Sequence, residues 1–192
     1  MTEFLLVNAA QVVTCAGVPG ARRGGAMADA APRDGYAVAV RDGVIDAVGA
    51  EAQLRRDHPD WELVDCGRGV LAPGFVDSHT HAVFGRDRAA EHEMRAAGLD
   101  YMEIARRGGG IHASVRDVRA HTEQQLVELA RGRLRLLAMS GVTTVEVKSG
   151  YGLTLDDELK MLRVIRRLSA ELPIRVIPTF LGAHEIPLEH RG

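Results

Sequence analysis

After Pro73-Gly74, short β-branched runs alternate with long amphipathic segments. This alternation constrains the fold more than any other feature of the chain. Phe75-Val76-Asp77 reads as a short apolar strand that runs into His79-Thr80-His81. Between Thr122 and Ser140, Leu126, Leu129, Ala130, Leu134, Leu137 and Ala138 recur at helical spacing. Thr122 with Gln125 three residues on matches a capping box, and Gly141 fits a C-terminal stop. Val142–Lys148 is β-branched and strand-like. Thr154 can cap a second helix, with Leu155, Leu159, Leu162, Ile165 and Leu168 as its expected buried face and Pro173 as its end. Residues 174–180 form the next strand, weakened at its far end by Pro178. Strands separated by helices imply parallel βα units, whose functional side chains gather where strands end. Three such junctions carry unusual polar residues: His79 with His81, Ser149–Tyr151, and His184.

The preceding residues have a different character. Residues 4–13 read as one strand, and 16–34 as an aperiodic surface loop. Asp42-Gly43 sits between two β-type runs, a strong hairpin signal because glycine tolerates positive φ at the turn. A short helix is expected around 51–56, followed by β runs at 61–64 and 70–71. The expected organisation is thus a small β-rich, β-sandwich-like unit over 1–70, followed over 71–192 by the first strands of a truncated (β/α)8 TIM-type barrel. A complete barrel takes ~250 residues. The expected class is α/β.

Lys and Arg number 24 against 26 Asp and Glu, so no global charge draws the chain to nucleic acid or an anionic membrane. Arg131, Arg133, Arg135, Arg163, Arg166 and Arg167 accordingly read as solvated helix surface. No apolar run is long enough to span a bilayer, and the start lacks a basic, then apolar leader. Cys15 and Cys66 read as reduced thiols, and a cytoplasmic location is expected.

On an extended strand, residues i and i+2 share a face. His79 and His81 can therefore reach one metal ion, with Asp77 nearby as an orienting group. Read alone, His-x-His is more often a polar strand end than a metal site. Two ligands are also too few for a catalytic site, which normally has three from the protein. Gly108-Gly109-Gly110 lacks the strand-then-helix context of a phosphate cradle and reads as a close-approach loop.

Four segments together resemble the imidazolonepropionases of the amidohydrolase superfamily: VLAPGFVDSHTH at 70–81, RGGGI at 107–111, TTVEVKSGYGL at 143–153 and TFLGAHEIP at 179–187. The resemblance implies a metal-dependent hydrolase that opens the ring amide of 4-imidazolone-5-propanoate, giving N-formimino-L-glutamate in histidine degradation. It implies one zinc or iron ion held by His79 and His81, with Arg88, Tyr151 and His184 on the substrate. Lys148 takes a supporting role, since the family's site is mononuclear. The general base and remaining ligands are expected beyond residue 192, so these residues alone should be inactive. Within the sequence, His92, His112, His121 and His190 are the first alternatives as ligands. The full-length enzyme is a possible homodimer with a small-molecule substrate. Competing expectations are another cyclic amidohydrolase or deaminase of the superfamily, or a non-catalytic truncated product.

Overall fold

The computed structural model describes residues 2–17 and 19–190. The chain divides between Pro73 and Gly74 into two compact units. The division lies beyond residue 70 because Val70 and Leu71 pair with Gln11 and Val12 and so belong to the first unit.

The first unit contains β1 (Glu3–Val7), β2 (Gln11–Val13), β3 (Pro32–Arg33), β4 (Tyr36–Arg41), β5 (Val44–Ala50), α1 (Glu51–Asp57), β6 (Glu62–Asp65) and β7 (Val70–Leu71). One sheet has the order β5-β4-β1-β6 and the other β3-β2-β7. The single strand expected over 4–13 is two strands in different sheets. Asn8 breaks it with φ 56, a conformation asparagine tolerates. Its side-chain amide donates to Asp65 and its backbone N–H to Glu51, which hold the bend. The 16–34 segment is likewise not wholly irregular. It contains a 3₁₀ turn at Gly24–Ala28 and β3, which pairs with Val12 and Val13; Val18 lies outside the described residues. Asp42 and Gly43 form the two-residue hairpin turn, with φ 50 and 78. The two-residue period then sorts the core. Leu5, Val7, Ala37 and Ala39 pack with Leu54 of α1, while Phe4, Leu6, Val38 and Val40 pack with Val12 and Leu71.

The second unit contains β8 (Phe75–Thr80), α2 (Ala89–Ala96), α3 (Tyr101–Arg106), α4 (Ile111–Ala120), α5 (Glu123–Met139), β9 (Val142–Lys148), α6 (Leu155–Glu171) and β10 (Arg175–Thr179). The sheet is parallel, in the order β10-β9-β8. Pro178 is tolerated because β10 is an edge strand among the described residues, so its missing N–H interrupts no ladder on the open side. The Thr122–Gln125 capping box forms on α5, and Gly141 (φ 89) follows that helix. Thr154 caps α6 by accepting from the Asp157 N–H.

Two helix faces differ from expectation. α6 buries Glu158, Met161, Val164, Ile165 and Leu168, leaving Leu155 and Leu159 exposed. α5 buries Leu126, Val127, Ala130 and Leu134 while Leu129 is exposed. In both cases the helices pack on each other as well as on the sheet, which rotates the buried stripe from the most leucine-rich line. The core of this unit is Val142, Val145 and Val147 against those helix residues, with Ala82 and Val83 from the segment after β8. Helices α2, α3 and α4 have no counterpart in the periodicity reading, being short and largely polar on their surfaces.

Candidate metal and substrate site

His79 lies in β8 and His81 directly after it, with ring centroids 5.7 Å apart. Thr80 between them is tied to β9, its hydroxyl donating to the Glu146 carbonyl at 2.6 Å and its N–H reaching the Glu146 carboxylate. Asp77 accepts from the backbone N–H of His79 at 3.3 Å, so it braces the strand end rather than pairing with a ring.

The other two junctions converge on His81. Tyr151 follows β9 and stacks on the His81 ring, centroids 4.9 Å apart and planes at 27°. His184 follows β10, 5.1 Å from His81 and 5.8 Å from Tyr151. The parallel register accounts for this meeting. Val147 lies opposite both Thr80 and Pro178, so the three strands end nearly level. Ser149 locks the last two ends together, its N–H donating to Thr179 and its hydroxyl accepting from Leu181.

Burial lowers the pKa of His81, and the neighbouring His184, His79 and Lys148 add to the effect against the opposing Glu146 charge. The shift favours neutral imidazole, the form that binds metal. His81 Nδ1 is also buried with no hydrogen-bond partner among the described residues. The Tyr151 hydroxyl has a raised pKa, chiefly from burial, and the Arg88 charge opposes the shift. Arg88 therefore lies within electrostatic range of the cluster. It caps the start of α2, with its guanidinium 3.8 Å from Glu91, and lines a cavity of about 400 Å³ together with Gly108 and Gly109 of the glycine run.

Among the described residues, no three His, Cys, Asp or Glu side chains are grouped to hold a metal ion. His92 and His112 lie in α2 and α4, His121 Nδ1 lies 2.6 Å from the Asp117 carbonyl, and His190 ends a 3₁₀ turn. None therefore completes the His79–His81 pair.

Three charged residues around the site, Glu146, Arg133 and Glu158, were not legible as such. Lys148 is ion-paired with Glu146 two residues earlier on β9. Although burial raises the Glu146 pKa, hydrogen bonds from Lys148, Thr179 and Thr80 outweigh it and hold the carboxyl below its usual range. Arg133 is not solvated helix surface. It donates to the carbonyls of Ala82, Phe84 and Gly85 and lies over the Phe84 ring, fastening the segment between His81 and Arg88. Glu158 is buried on the amides that flank Tyr151. Only the Glu-x-Lys spacing on β9 offered a sequence signal, since i and i+2 share a strand face.

Known proteins match the chain over most of its length. A bacterial imidazolonepropionase-like composite domain matches residues 37–60. An imidazolonepropionase from Symbiobacterium thermophilum is 52% identical over 193 aligned positions, covering 99% of this chain and 45% of the relative. One from Solibacter usitatus is 50% identical, covering 100% and 46%. The sequence matches the N-terminal portion of the imidazolonepropionases. The chain thus spans under half the length of the imidazolonepropionases it matches. Two solved structures share the fold at 19% identity. Guanine deaminase from Bradyrhizobium japonicum has a TM-score of 0.60, covering 97% of this chain and 38% of its own. The triazine hydrolase of Arthobacter aurescens has a TM-score of 0.58, covering 94% and 36%. Both likenesses bear on the fold alone, a mixed α/β arrangement.

Proposed function

We propose that this chain supplies the first metal ligands and part of the substrate pocket of an imidazolonepropionase. The reaction is hydrolysis of the ring C–N amide bond of 4-imidazolone-5-propanoate: water's oxygen goes to the carbonyl carbon and a proton to the departing ring nitrogen. The observation that carries the reading is the convergence of His79, Tyr151 and His184 on His81 at the ends of three parallel strands. In the same reading, Gly74–Gly192 is the opening part of a (β/α)8 barrel, and the first unit is part of a β-sandwich-like composite domain.

The residues present fit a metal ion. His79 and His81 are two imidazoles on one strand end, and His81 Nδ1 has no hydrogen-bond partner among the described residues. Two nitrogen donors suit zinc or iron. Bound there, either ion would supply Lewis-acid activation of water and of the ring carbonyl. A mutant atrazine chlorohydrolase of similar fold was solved with zinc and atraton, which supports zinc as the first ion to test. Arg88 offers a planar fork to the propionate, Tyr151 a hydroxyl as well as a flat face to the ring, and His184 a proton donor or acceptor at a ring heteroatom. Holding the ring in one orientation lowers the barrier by positioning. Lys148, neutralised by Glu146, supports the strand end and carries no step. A cytoplasmic enzyme acting on a small soluble metabolite fits this reading; among the described residues no helix is long and apolar enough to cross a membrane.

The test is a substrate panel with the full-length enzyme: imidazolonepropionate against guanine, a triazine and dihydroorotate. Turnover confined to another member of the panel would overturn the assignment. Within the panel, Arg88→Lys is expected to raise KM and lower kcat/KM about 10-fold, since lysine keeps charge but loses the bidentate fork. Metal content should not change. An unaltered kcat/KM would remove Arg88 from the substrate.

A further inference from the structure

Glu158 is 3% exposed, yet it is a carboxylate on the first turns of α6. A buried carboxylate is costly unless its oxygens are satisfied. Here one oxygen accepts from the Gly152 N–H at 2.8 Å and the Leu153 N–H at 2.9 Å, and the other from the Gly150 N–H at 2.8 Å. The three amides flank Tyr151 on both sides. An acidic residue near a helix start ordinarily serves that helix's own amides. That task already falls to Thr154, which accepts from Asp157. Glu158 is therefore turned away from its helix and into the loop.

The loop has the shape such a grip requires. Gly150 (φ 110) and Leu153 (φ 54) both adopt left-handed backbone. A Cβ on Gly152 would meet the Glu158 nitrogen at 2.5 Å, so loop and helix backbone are in direct contact there. A Cβ on Gly150 would stand 2.9 Å from the Leu181 carbonyl and 3.0 Å from the His184 Cβ, so the same turn lies against the residue that completes the ring cluster. A leucine held at positive φ is strained, and a charge-assisted bond to its own N–H offsets that strain.

We propose that Glu158 is a positioning residue of this site: it folds Gly150–Leu153 around its carboxylate and thereby seats Tyr151 against His81 and His184. The inference rests on the reading of Tyr151 as a substrate contact. It adds that the placement of Tyr151 depends on a buried charge that touches neither metal nor substrate.

The test is Glu158→Gln in the full-length, metal-loaded enzyme, beside Tyr151→Phe and the double variant. Glutamine keeps the volume but sets an NH₂ against at least one backbone N–H, so a bond is lost and two donors face each other. Deuterium uptake across Gly150–Leu153 should then rise by about 10-fold or more in rate. Metal content should stay at the parent level, and kcat/KM should fall on the order of 10- to 100-fold through loss of orientation. In the Tyr151→Phe background the same change should cost much less, because both variants act on one contact. Unchanged deuterium uptake in Glu158→Gln would overturn the proposal. So would a lower melting temperature with parent kcat/KM, or a loss fully additive with Tyr151→Phe. A Tyr151→Phe enzyme with parent kinetics would instead sink the substrate role of Tyr151, while the deuterium uptake still decides whether Glu158 holds the loop.

Discussion

His79→Ala and His81→Ala in the full-length enzyme are each expected to abolish stoichiometric metal binding and lower turnover by well over 100-fold. The figure is a floor, since losing only a hydrogen-bond partner behind a metal ligand typically costs 10–100-fold. The two rings lie 5.7 Å apart on one strand end, so each variant removes half of the imidazole pair. The strand itself should survive, because Thr80 and Asp77 brace it without either ring. Metal analysis and steady-state turnover on the same preparation decide the matter. A His79→Ala enzyme with full metal content and normal kcat would dismiss the pair as ligands.

The second large effect concerns a polypeptide of residues 1–192 expressed alone. It is expected to show no imidazolonepropionate hydrolysis with added zinc or iron, and to self-associate rather than remain monomeric. Two imidazoles fall short of the three protein ligands of a catalytic zinc site, and no group of three His, Cys, Asp or Glu side chains is placed to hold a metal ion among the described residues. Phe75, Val76 and Phe180 are each about two-thirds exposed, at 65%, 68% and 67%. β8 and β10 each pair on one side only among the described residues. Exposed apolar surface beside open strand edges promotes association. Size measurement, thermal melting and a turnover assay are the readouts. A monodisperse monomer with a sharp melt would refute the association, and metal-dependent turnover by it would refute the ligand argument.

Local chemistry alone determined much of the scaffold. Asp42-Gly43 specifies its hairpin because only such residues accept two successive positive φ values cheaply. Thr122, Gln125 and Gly141 mark both ends of α5, since caps are made within one turn of the chain. The strand–helix alternation prescribed parallel βα units, and His-x-His placed two imidazoles at one strand end. What needed the tertiary structure is of longer range. Several apolar lines run along α6, and only its packing on α5 and β10 selects Met161 and Val164 over Leu155 and Leu159. Asn8 can continue a strand or turn it, and its partners Glu51 and Asp65 lie far along the chain. The near-level ends of β8, β9 and β10 bring Tyr151 and His184 onto His81, a consequence of register that no single segment contains. Arg133 and Glu158 look like surface charges in any one-dimensional reading. Their roles exist only because the backbone groups they bind come from the segments that follow neighbouring strands, where burial makes an unsatisfied carbonyl or amide costly.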